Sequence, residues 1–379
     1  MTSSLYKVRV YSNTYEPRLE LSTWQHLGLY IRVNEPGSID LDMDYFEGIW
    51  NDFDIDGIIE VYRKIPNVRD WYKIHEGHIR RTRLSASDTG RMTFSVYAVG
   101  FIELLDRRVI LYKAGHPRTT KSGPGETVIK EFVIENIGCL ARTVDGRLRN
   151  GVISNFDIER DAGNGKAWSG SRAYKRLYDT VSDIASATGI DFSIIGVSGR
   201  YLFRCHNGQL GKNRTYTGIT DSGRNMYGNI PIVFSVQQSN ISEISYTYDR
   251  TQESNVVIVL GQGQEEERNV AIRFDADAIN VSPINTREIT KDARTQSTNE
   301  ALTSTAEETL FNKTKFDIVD FSPSPSIINR YGIDFDVGDI VTASFFNRSS
   351  NVKITGADIS VDREAEQINF SMETLKEVE

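Results

Sequence analysis

The chain has 379 residues, which is enough for two or three domains with real cores, and its apolar and charged fractions are those of a globular protein. Its formal net charge is −8 and it has no long basic run, which argues against sequence-independent DNA binding. It has no apolar run near the ~20 residues of a membrane span and no visible signal peptide, so we expect a soluble chain made in the cytoplasm.

The N-terminal third alternates apolar and polar residues in several runs, as strands with one wet face do. In HLGLYIRV, for example, Leu27, Leu29, Ile31 and Val33 share one face. Turn residues recur at intervals of roughly ten, which is typical of an all-β sandwich or barrel. The segment GFIELLDRRVILYKAG then predicts a short helical turn at the exit from the barrel.

The middle third combines helices and strands. Residues 119–125, TTKSGPG, are predicted to form a loop, and the apolar spacing after them predicts a helix that stops at Gly138. A second helix is predicted from about Ser171 to Gly189. The segments IDFSII, GVSGR and YLFRC then predict a hairpin, which makes this third a small α/β region.

The C-terminal third returns to strands, in the segments ISEISYTYD, SNVVIVLG, NVAIRF, VKITGADISV and QINFSM. One helix near residues 298–312 interrupts them. Ser297 and Glu300 make a capping box for this helix, and apolar residues follow at helical spacing. The chain therefore has the order β, then α/β, then β.

The stretch WNDFDIDGIIEVYRK contains the D-x-D-x-D-G opening of a calcium-binding EF-hand loop, in Asp52, Asp54, Asp56 and Gly57. Position twelve of that loop must supply a bidentate Glu, but here it is Arg63. The flanking residues have strand character, whereas an EF-hand loop lies between helices. We therefore predict a hairpin with outward acids and a turn near the last aspartate and glycine.

Two other patterns imitate ligand sites. VVIVLGQGQEEER runs from an apolar strand into G-x-G, but Glu266 stands in place of the third glycine and its acidic neighbours would repel a pyrophosphate. We predict a strand that ends in a solvated acidic loop.

His75 and His78 could be half of a metal site, but on a strand they would point to opposite faces. Cys139 and Cys205 are distant from them in sequence, so we predict no metal site. We expect both cysteines to be small buried hydrophobic residues.

The sequence contains no signature of a catalytic nucleophile and no G-x-S-x-G elbow. Its carboxylates mostly alternate with apolar residues, which more often indicates a wet strand face than a catalytic pair. We predict that the chain is not an enzyme and has no cofactor.

Three stretches carry a more specific signal when taken together. The first is VGFIELLDRRVILYKAG, which closes a sheet-rich segment on LLDRR. The second is SNVVIVLGQGQEEERNVA, and the third is INTREITKDARTQSTNEALTSTAEETL followed by RYGIDFDVGDIVTA. Taken together, these stretches make the chain resemble a family of siphophage tail-hub proteins. The corresponding patterns of that family are N-V-x-V-x-G-Q-G-E, R-E-x-F-x-D-A-R, A-E-E-x-L and Y-G-x-D-Y-D-L-G-D.

The resemblance runs from about Tyr6 to Glu373, although residues 142–228 match poorly and the segment REITKDAR lacks the family's aromatic residue before D-A-R. The residues that carry the resemblance are structural signatures and not catalytic groups. They are Leu105, Asp106, Arg107, Arg108, Gly261, Gly263, Arg287, Asp292, Arg294, Tyr331, Gly332, Asp334, Asp336, Gly338 and Asp339.

This resemblance implies a mainly β fold with an α/β insertion and two β-barrel-like tube domains of the phage baseplate-hub type. The expected division is 1–115 for the first tube domain, 116–230 for the inserted α/β domain and 231–379 for the second tube domain. Related proteins include the central hubs of contractile phages and the bases of secretion spikes.

The resemblance also implies a role in the virion, after assembly in the host cytoplasm. The expected hub is a homotrimer that joins the hexameric tail tube, or distal tail proteins, to a central spike or fibre. DNA would pass through it without specific binding. The acids of DFDIDG and DLDMD are candidates for the wall of that channel.

Two alternatives remain open from the sequence. One is a tail-associated hydrolase of cell wall or polysaccharide, although the chain ends at METLKEVE, shortly after its last predicted strand, which leaves no space for the extension that usually carries such an activity. The other is a carbohydrate-binding receptor module, which the tyrosines and the β-content suggest; cross-strand pairing in sheets also favours such aromatics.

Overall fold

The structure is a computed structural model that describes residues 5–375 apart from 112–114, 117, 142–152, 252, 295, 297, 314–315, 324–328, 347 and 363–364. Strands predominate over helices along the described chain, and the mainly β class is therefore confirmed.

The N-terminal strands follow the alternation of the sequence, because every second side chain faces the core. In the strand Ser38–Asp44, Ile39, Leu41 and Met43 are buried and the acids between them are not. The short helical turn predicted after these strands is also present. The elements are β1 (Leu5–Tyr11), β2 (Pro17–Leu21), β3 (His26–Arg32), β4 (Ser38–Asp44), β5 (Ile58–Ile65), β6 (Arg69–Ala86), β7 (Met92–Gly100) and α1 (Glu103–Asp106).

The middle region contains both predicted helices and the predicted hairpin. Its elements are β8 (Thr119–Pro124), α2 (Gly125–Asn136), β9 (Phe156–Ile158), β10 (Ala167–Arg172), α3 (Leu177–Thr188), β11 (Ile190–Val197) and β12 (Arg200–Asn207). The helix α3 ends at Gly189, whose φ of 70° is accessible to glycine at little cost.

Two details of the middle region were predicted wrongly. The segment TTKSGPG is the strand β8 and not a loop, because it pairs antiparallel with β10 some fifty residues further along the chain. The helix α3 begins at Leu177 and not near Ser171, because β10 already occupies the chain as far as Arg172.

The C-terminal region contains the predicted strands and the predicted helix near 298–312. The hydroxyl of Thr298 accepts a hydrogen bond from the backbone N–H of Ala301 and so caps that helix, whereas the predicted cap Ser297 lies outside the described residues. The elements are β13 (Val233–Ser235), β14 (Ile241–Asp249), β15 (Val256–Leu260), β16 (Val270–Phe274), α4 (Ala276–Asn280), β17 (Glu288–Asp292), α5 (Asn299–Lys313), β18 (Phe316–Pro323), β19 (Ile340–Phe345), β20 (Arg348–Asp362) and β21 (Glu366–Thr374).

One large sheet unites the two ends of the chain. Its strand order is β13-β19-β20-β3-β4-β7-β6-β5-β1-β2, and β21 pairs with the other side of β20. The antiparallel ladder between β20 and β3, in which Ala357 lies opposite Ile31, joins the C-terminal strands to the N-terminal ones. This strand path has two ends, β13 and β2, so two closed barrels remain a prediction, as does the division at 115 and 230.

Among the residues that the structure describes, the buried apolar side chains form three hydrophobic cores. The largest contains side chains from β1–β7 and from the strands after residue 231. The second packs α2 and α3 against the sheet β11-β12-β9. The third lies between α5 and the sheet β16-β15-β17, where Leu302 and Ala306 cover Val257 and Val259.

The cysteines differ from their predicted environment. Cys139 is exposed, since it follows the last turn of α2. Cys205 is half-buried beside the second core, where burial raises the pKa of its thiol to about 12.

Candidate functional site

The structure places the signature residues in three separate regions, each of which joins parts of the fold. The first region is α1 and the arginines after it. Leu105 is buried in the second core, and Asp106 accepts a hydrogen bond from Arg176 at 2.9 Å. The carbonyl of Arg108 accepts the backbone N–H of Leu177 at 2.8 Å. This region therefore attaches the start of α3 to the end of β7.

Arg107 connects α1 to the turn that imitates an EF-hand. Its Nε donates to Glu103 Oε2 at 2.7 Å and its Nη2 donates to Asp56 Oδ1 at 3.0 Å. Arg80 also donates to Asp56, at 2.5 Å. Burial acts to raise the pKa of Asp56, but Arg107 and Arg80 outweigh it, so this carboxyl has a pKa below its usual value. Arg107 and Arg80 thus already pair with Asp56, one of the aspartates that the calcium motif would use as a ligand.

The predicted turn is present and a strand follows it, but the predicted hairpin is wrong, because the short 3-10 helix Ile49–Asp52 and not a strand precedes the turn. Asp56 has a φ of 63°, and the N–H of Gly57 donates to the carbonyl of Asp54 at 3.0 Å. The strand β5 begins at the next residue. Arg63, at the twelfth position, is buried in β5, and its Nη2 lies 2.8 Å from Glu366 Oε1.

The second region is the small sheet under α5. After β15, the backbone turns through the exposed Glu265 and returns as the antiparallel strand β16, whereas a dinucleotide fold would continue into a helix. The predicted acidic loop is therefore confirmed. Gly261 contacts Leu302 so closely that a Cβ there would lie 2.7 Å from the leucine Cδ1. Gly263 has a φ of 107°, which favours glycine.

The other signature residues of this region make polar contacts. Arg287 Nη1 donates to the carbonyl of Arg250 at 2.6 Å. Asp292 pairs with Arg268 at 3.3 Å and with Arg294 at 3.0 Å. These contacts fix β17 beside the loops that enter and leave the sheet.

The third region is the turn at residues 331–339, which we call the aspartate turn. Asp339 is only 3% exposed, and its carboxylate accepts three hydrogen bonds: from the N–H of Lys212 at 2.5 Å, from Arg214 Nε at 2.8 Å and from the N–H of Asp336 at 3.1 Å. Gly338 has a φ of 93°, and its carbonyl accepts the N–H of Gly211 at 3.2 Å. The turn therefore fixes the segment before β13 against β19.

The same turn contacts the N-terminal hairpin β5–β6. Arg63 Nη1 donates to the carbonyl of Tyr331 at 3.1 Å, and Arg69 donates to the carbonyl of Gly332. Asp334 accepts hydrogen bonds from Arg330 within the turn. Burial raises the pKa of Asp336, whose carboxylate accepts the N–H of Val337.

A buried carboxylate network, formed by Glu60, Lys73 and Glu76, was missed in the sequence. Lys73 Nζ lies 2.6 Å from Glu76 Oε2 and 3.2 Å from Glu60 Oε1. The hydroxyls of Tyr15 and Tyr62 each donate to Glu60 at 2.7 Å. The signal that could have indicated it is Glu60 itself, an acid between apolar residues in IIEVYR.

The network joins the main sheet to the middle region. Glu76 accepts the N–H of Gly196, in β11, at 2.8 Å, and Lys73 donates to the carbonyl of the same glycine at 3.0 Å. Burial raises the pKa of Glu76 against the opposing effect of Lys73. Burial would also raise the pKa of Glu60, but the two tyrosine hydroxyls and Lys73 lower it below its usual value. Because every carboxylate here is hydrogen-bonded, the arrangement suits a structural connection.

Of the two histidines of HEGH, His78 is buried and His75 is half-buried. Burial lowers the pKa of both His75 and His78 to about 4, and the ring of His78 hydrogen-bonds the hydroxyl of Tyr201 at 2.7 Å. Among the described residues, no group of three or more His, Cys, Asp or Glu side chains is arranged to hold a metal ion.

The comparison with known proteins gives these regions a context. Residues 7–368 match the Siphovirus ReqiPepy6 Gp37-like protein family. The chain belongs to this family. Among curated proteins none matches the Gp37-like chain, but solved structures do.

Two tail proteins share the fold along nearly their whole length. One is the 43 kDa tail protein of prophage MuSo2 from Shewanella oneidensis, with 11% identity, a TM-score of 0.57 and coverage of 97% of this chain and 98% of that one. The other is the tail protein from Neisseria meningitidis MC58, with 12% identity, a TM-score of 0.57 and coverage of 98% and 96%.

A chain of the lidded Francisella PdpA–VgrG complex is a third similar structure. It has 10% identity and a TM-score of 0.51, and the match covers 99% of the Gp37-like chain and 53% of the other. At these identities the matches show a shared fold alone.

Membership places the Gp37-like chain in a siphovirus protein family, in agreement with the resemblance that the signature segments carry, and its fold is shared with solved phage tail proteins. Within the part of the chain that the structure describes, no helix is both long and apolar enough to cross a bilayer.

Proposed function

We propose that this Gp37-like chain is the trimeric hub of a phage tail tip, which joins the hexameric tail tube to a central spike or fibre and surrounds the channel for DNA. The two tube domains would come from 1–115 and 231–379, connected side by side through the ladder of β3 and β20, with 116–230 as the inserted α/β domain. The observation that carries the trimer is an uncovered apolar sheet face.

This outer apolar face belongs to the sheet β16-β15-β17. Val270, Ile272 and Phe274 alternate along β16 and are 48%, 49% and 62% exposed. In the ladder, Ile272 lies opposite Ile258, which is half-buried and continues the face onto β15, whereas Val256, opposite Phe274, is buried. The helix α5 covers only the other side of the sheet. In the loop before β17, Ile284 is 90% exposed.

A soluble protein seldom leaves so continuous an apolar surface in water unless another surface covers it. The strand β16 is also an edge among the described strands, so its outer backbone groups are available for pairing. A closed ring gives every copy the same neighbour and covers such a face in all copies. A second copy of the chain is therefore the occupant that we propose.

The charge of the chain supports the channel. Three chains of net charge −8 make a ring whose overall negative charge does not favour binding of the DNA backbone, which suits DNA that must slide through the channel. Asp56 is neutralised by its two arginines and Asp54 lies 3.7 Å from Arg18, so Asp52, which forms no ion pair among the described residues, is the acid of that stretch that would add free charge to the wall.

The trimer predicts a specific effect of two charges on the outer apolar face. Light scattering after size-exclusion chromatography should give three times the 42.8 kDa chain mass for the wild type, alone or once tail partners are added. The double variant Ile272→Asp/Phe274→Asp should remain monomeric, because a desolvated carboxylate opposes burial.

The matched control is Val68→Asp, which adds a charge at an exposed apolar residue in the turn between β5 and β6. This control should keep the mass of the wild type. A wild type that stays monomeric both alone and with tail partners, or a double variant that still forms trimers, would contradict the proposal.

A further inference from the structure

A basic cleft of about 550 Å³ lies between the middle region and the helix α5 with its sheet β16-β15-β17, which we call the α5 module. The strand β10, the loop after it and α3 line one side, and β17 and α5 line the other. Five cationic side chains and three carboxylates line this cleft, although the chain as a whole is acidic. The cations are Arg118, Arg172, Lys175, Lys291 and Lys313, and the carboxylates are Asp183, Asp292 and Glu308.

The three carboxylates leave much of this positive charge uncompensated. Asp183 pairs with Lys175, and Asp292 pairs with Arg294, which is not part of the cleft lining. Burial and the negative charge of Asp183 raise the pKa of Glu308, against the opposing effect of the nearby cations. The carboxylates therefore do not match the cations one for one.

The lysines of the α5 module are available to a ligand. Within the described residues, Lys291 and Lys313 form no ion pair with a carboxylate within 4 Å, and both residues are exposed at the cleft. They line the wall of the cleft that lies across from Arg118 and Arg172, so an anion in the cleft has cationic side chains on both sides.

Two guanidinium groups of the cleft hold buried donors without an acceptor. Arg118 Nη1 and Arg172 Nε are buried and have no hydrogen-bond partner among the described residues. Arg172 Nη1 donates to the carbonyl of Ser171 at 3.2 Å, and its Nη2 lies 4.0 Å from Asp183. Buried donors are normally satisfied, so donors left open beside a cleft point to a ligand that accepts from them.

We infer that this cleft binds a small oxyanion of the phosphate class, either as the free ion or as the phosphoryl group of a small molecule. Guanidinium groups match the oxygens of such an anion with pairs of charge-assisted hydrogen bonds, and lysines add charge. The ligand would connect β10 to α5 and so stabilise the contact between the two regions. The inference does not rest on the proposed trimer, because all the residues that line the cleft belong to a single copy of the chain.

Calorimetric titration of the full chain with inorganic phosphate, at constant ionic strength set with chloride, tests this inference. The wild type should show saturable binding. The variant Lys291→Gln/Lys313→Gln should bind about tenfold more weakly, because each lost charge removes a contact to the anion. These side chains are exposed, so thermal unfolding without phosphate should be unchanged.

The matched control is Arg83→Gln, which removes a charge from an exposed residue of β6 away from the cleft and should retain the wild-type affinity. A second titration with glycerol 3-phosphate separates the two sources of the ligand. Saturable binding of either compound that weakens in the double lysine variant supports the site. Absence of saturable binding for both, or equal affinity in the double variant, would overturn it.

Discussion

Replacing Asp339 with alanine should lower the free energy of unfolding by about 3–5 kcal/mol, which makes it one of the two most damaging changes that we predict. The aspartate carboxylate is buried and accepts from Lys212, Arg214 and Asp336. Its removal leaves the half-buried guanidinium of Arg214 and two backbone N–H groups without their acceptor. Urea denaturation followed by circular dichroism would measure the change.

Asp334→Ala is the matched control within the same turn. Asp334 pairs with Arg330 near the surface, so its loss should cost less than about 1 kcal/mol. Asp339→Asn should lie between the two, because the amide oxygen can accept from an N–H but carries no charge for Arg214. Equal stability losses for Asp339→Ala and Asp334→Ala would show that the buried contacts of Asp339 do not stabilise the turn.

Replacing Lys73 with methionine should lower the free energy of unfolding by about 3 kcal/mol at neutral pH. The change leaves Glu60 and Glu76, which are cross-strand neighbours, buried without the cation between them. It also removes the donor to the carbonyl of Gly196. The double variant Lys73→Met/Glu76→Gln should recover part of the loss, because only one buried carboxylate then remains.

The loss in Lys73→Met should depend on pH. In the wild type the lowered pKa of Glu60 contributes stability that is lost as the pH falls, whereas the raised pKa of Glu76 contributes stability that is lost as the pH rises. Without Lys73 both folded-state pKa values move upward. The loss in the free energy of unfolding should therefore be largest at about pH 7.5 and smaller at about pH 5, where protonation of the two glutamates relieves it.

The control for this series is Lys64→Met, since Lys64 pairs with Asp70 at the surface. Its stability should follow that of the wild type at both pH values. A Lys73→Met deficit that does not shrink as the pH falls would mean that the network is not held by ion pairing.

Local features of the fold were readable from the sequence because they depend on few neighbouring residues. The turn at Asp56 and Gly57 follows from the failed calcium motif and the β-branched residues after it. The end of α3 follows from Gly189. The alternation of apolar and polar residues also predicted the strands β3, β4 and β7 and the faces that they bury.

Features that depend on distant partners were not readable. Nothing in TTKSGPG indicates a strand until β10 pairs with it. The ladder of β3 and β20 joins residues more than three hundred positions apart, and so does the ion pair of Arg63 with Glu366. The signature aspartates were found by resemblance, but the role of Asp339 as an acceptor for Arg214 required the fold.

A cryo-electron microscopy map of the intact tail tip tests the central claim most directly. The hub role predicts three copies of this chain around an open or plugged channel, with the outer apolar face of β15 and β16 covered by the neighbouring copy. A map with a single copy, or with copies outside the axis of the tail and that face in solvent, would contradict it.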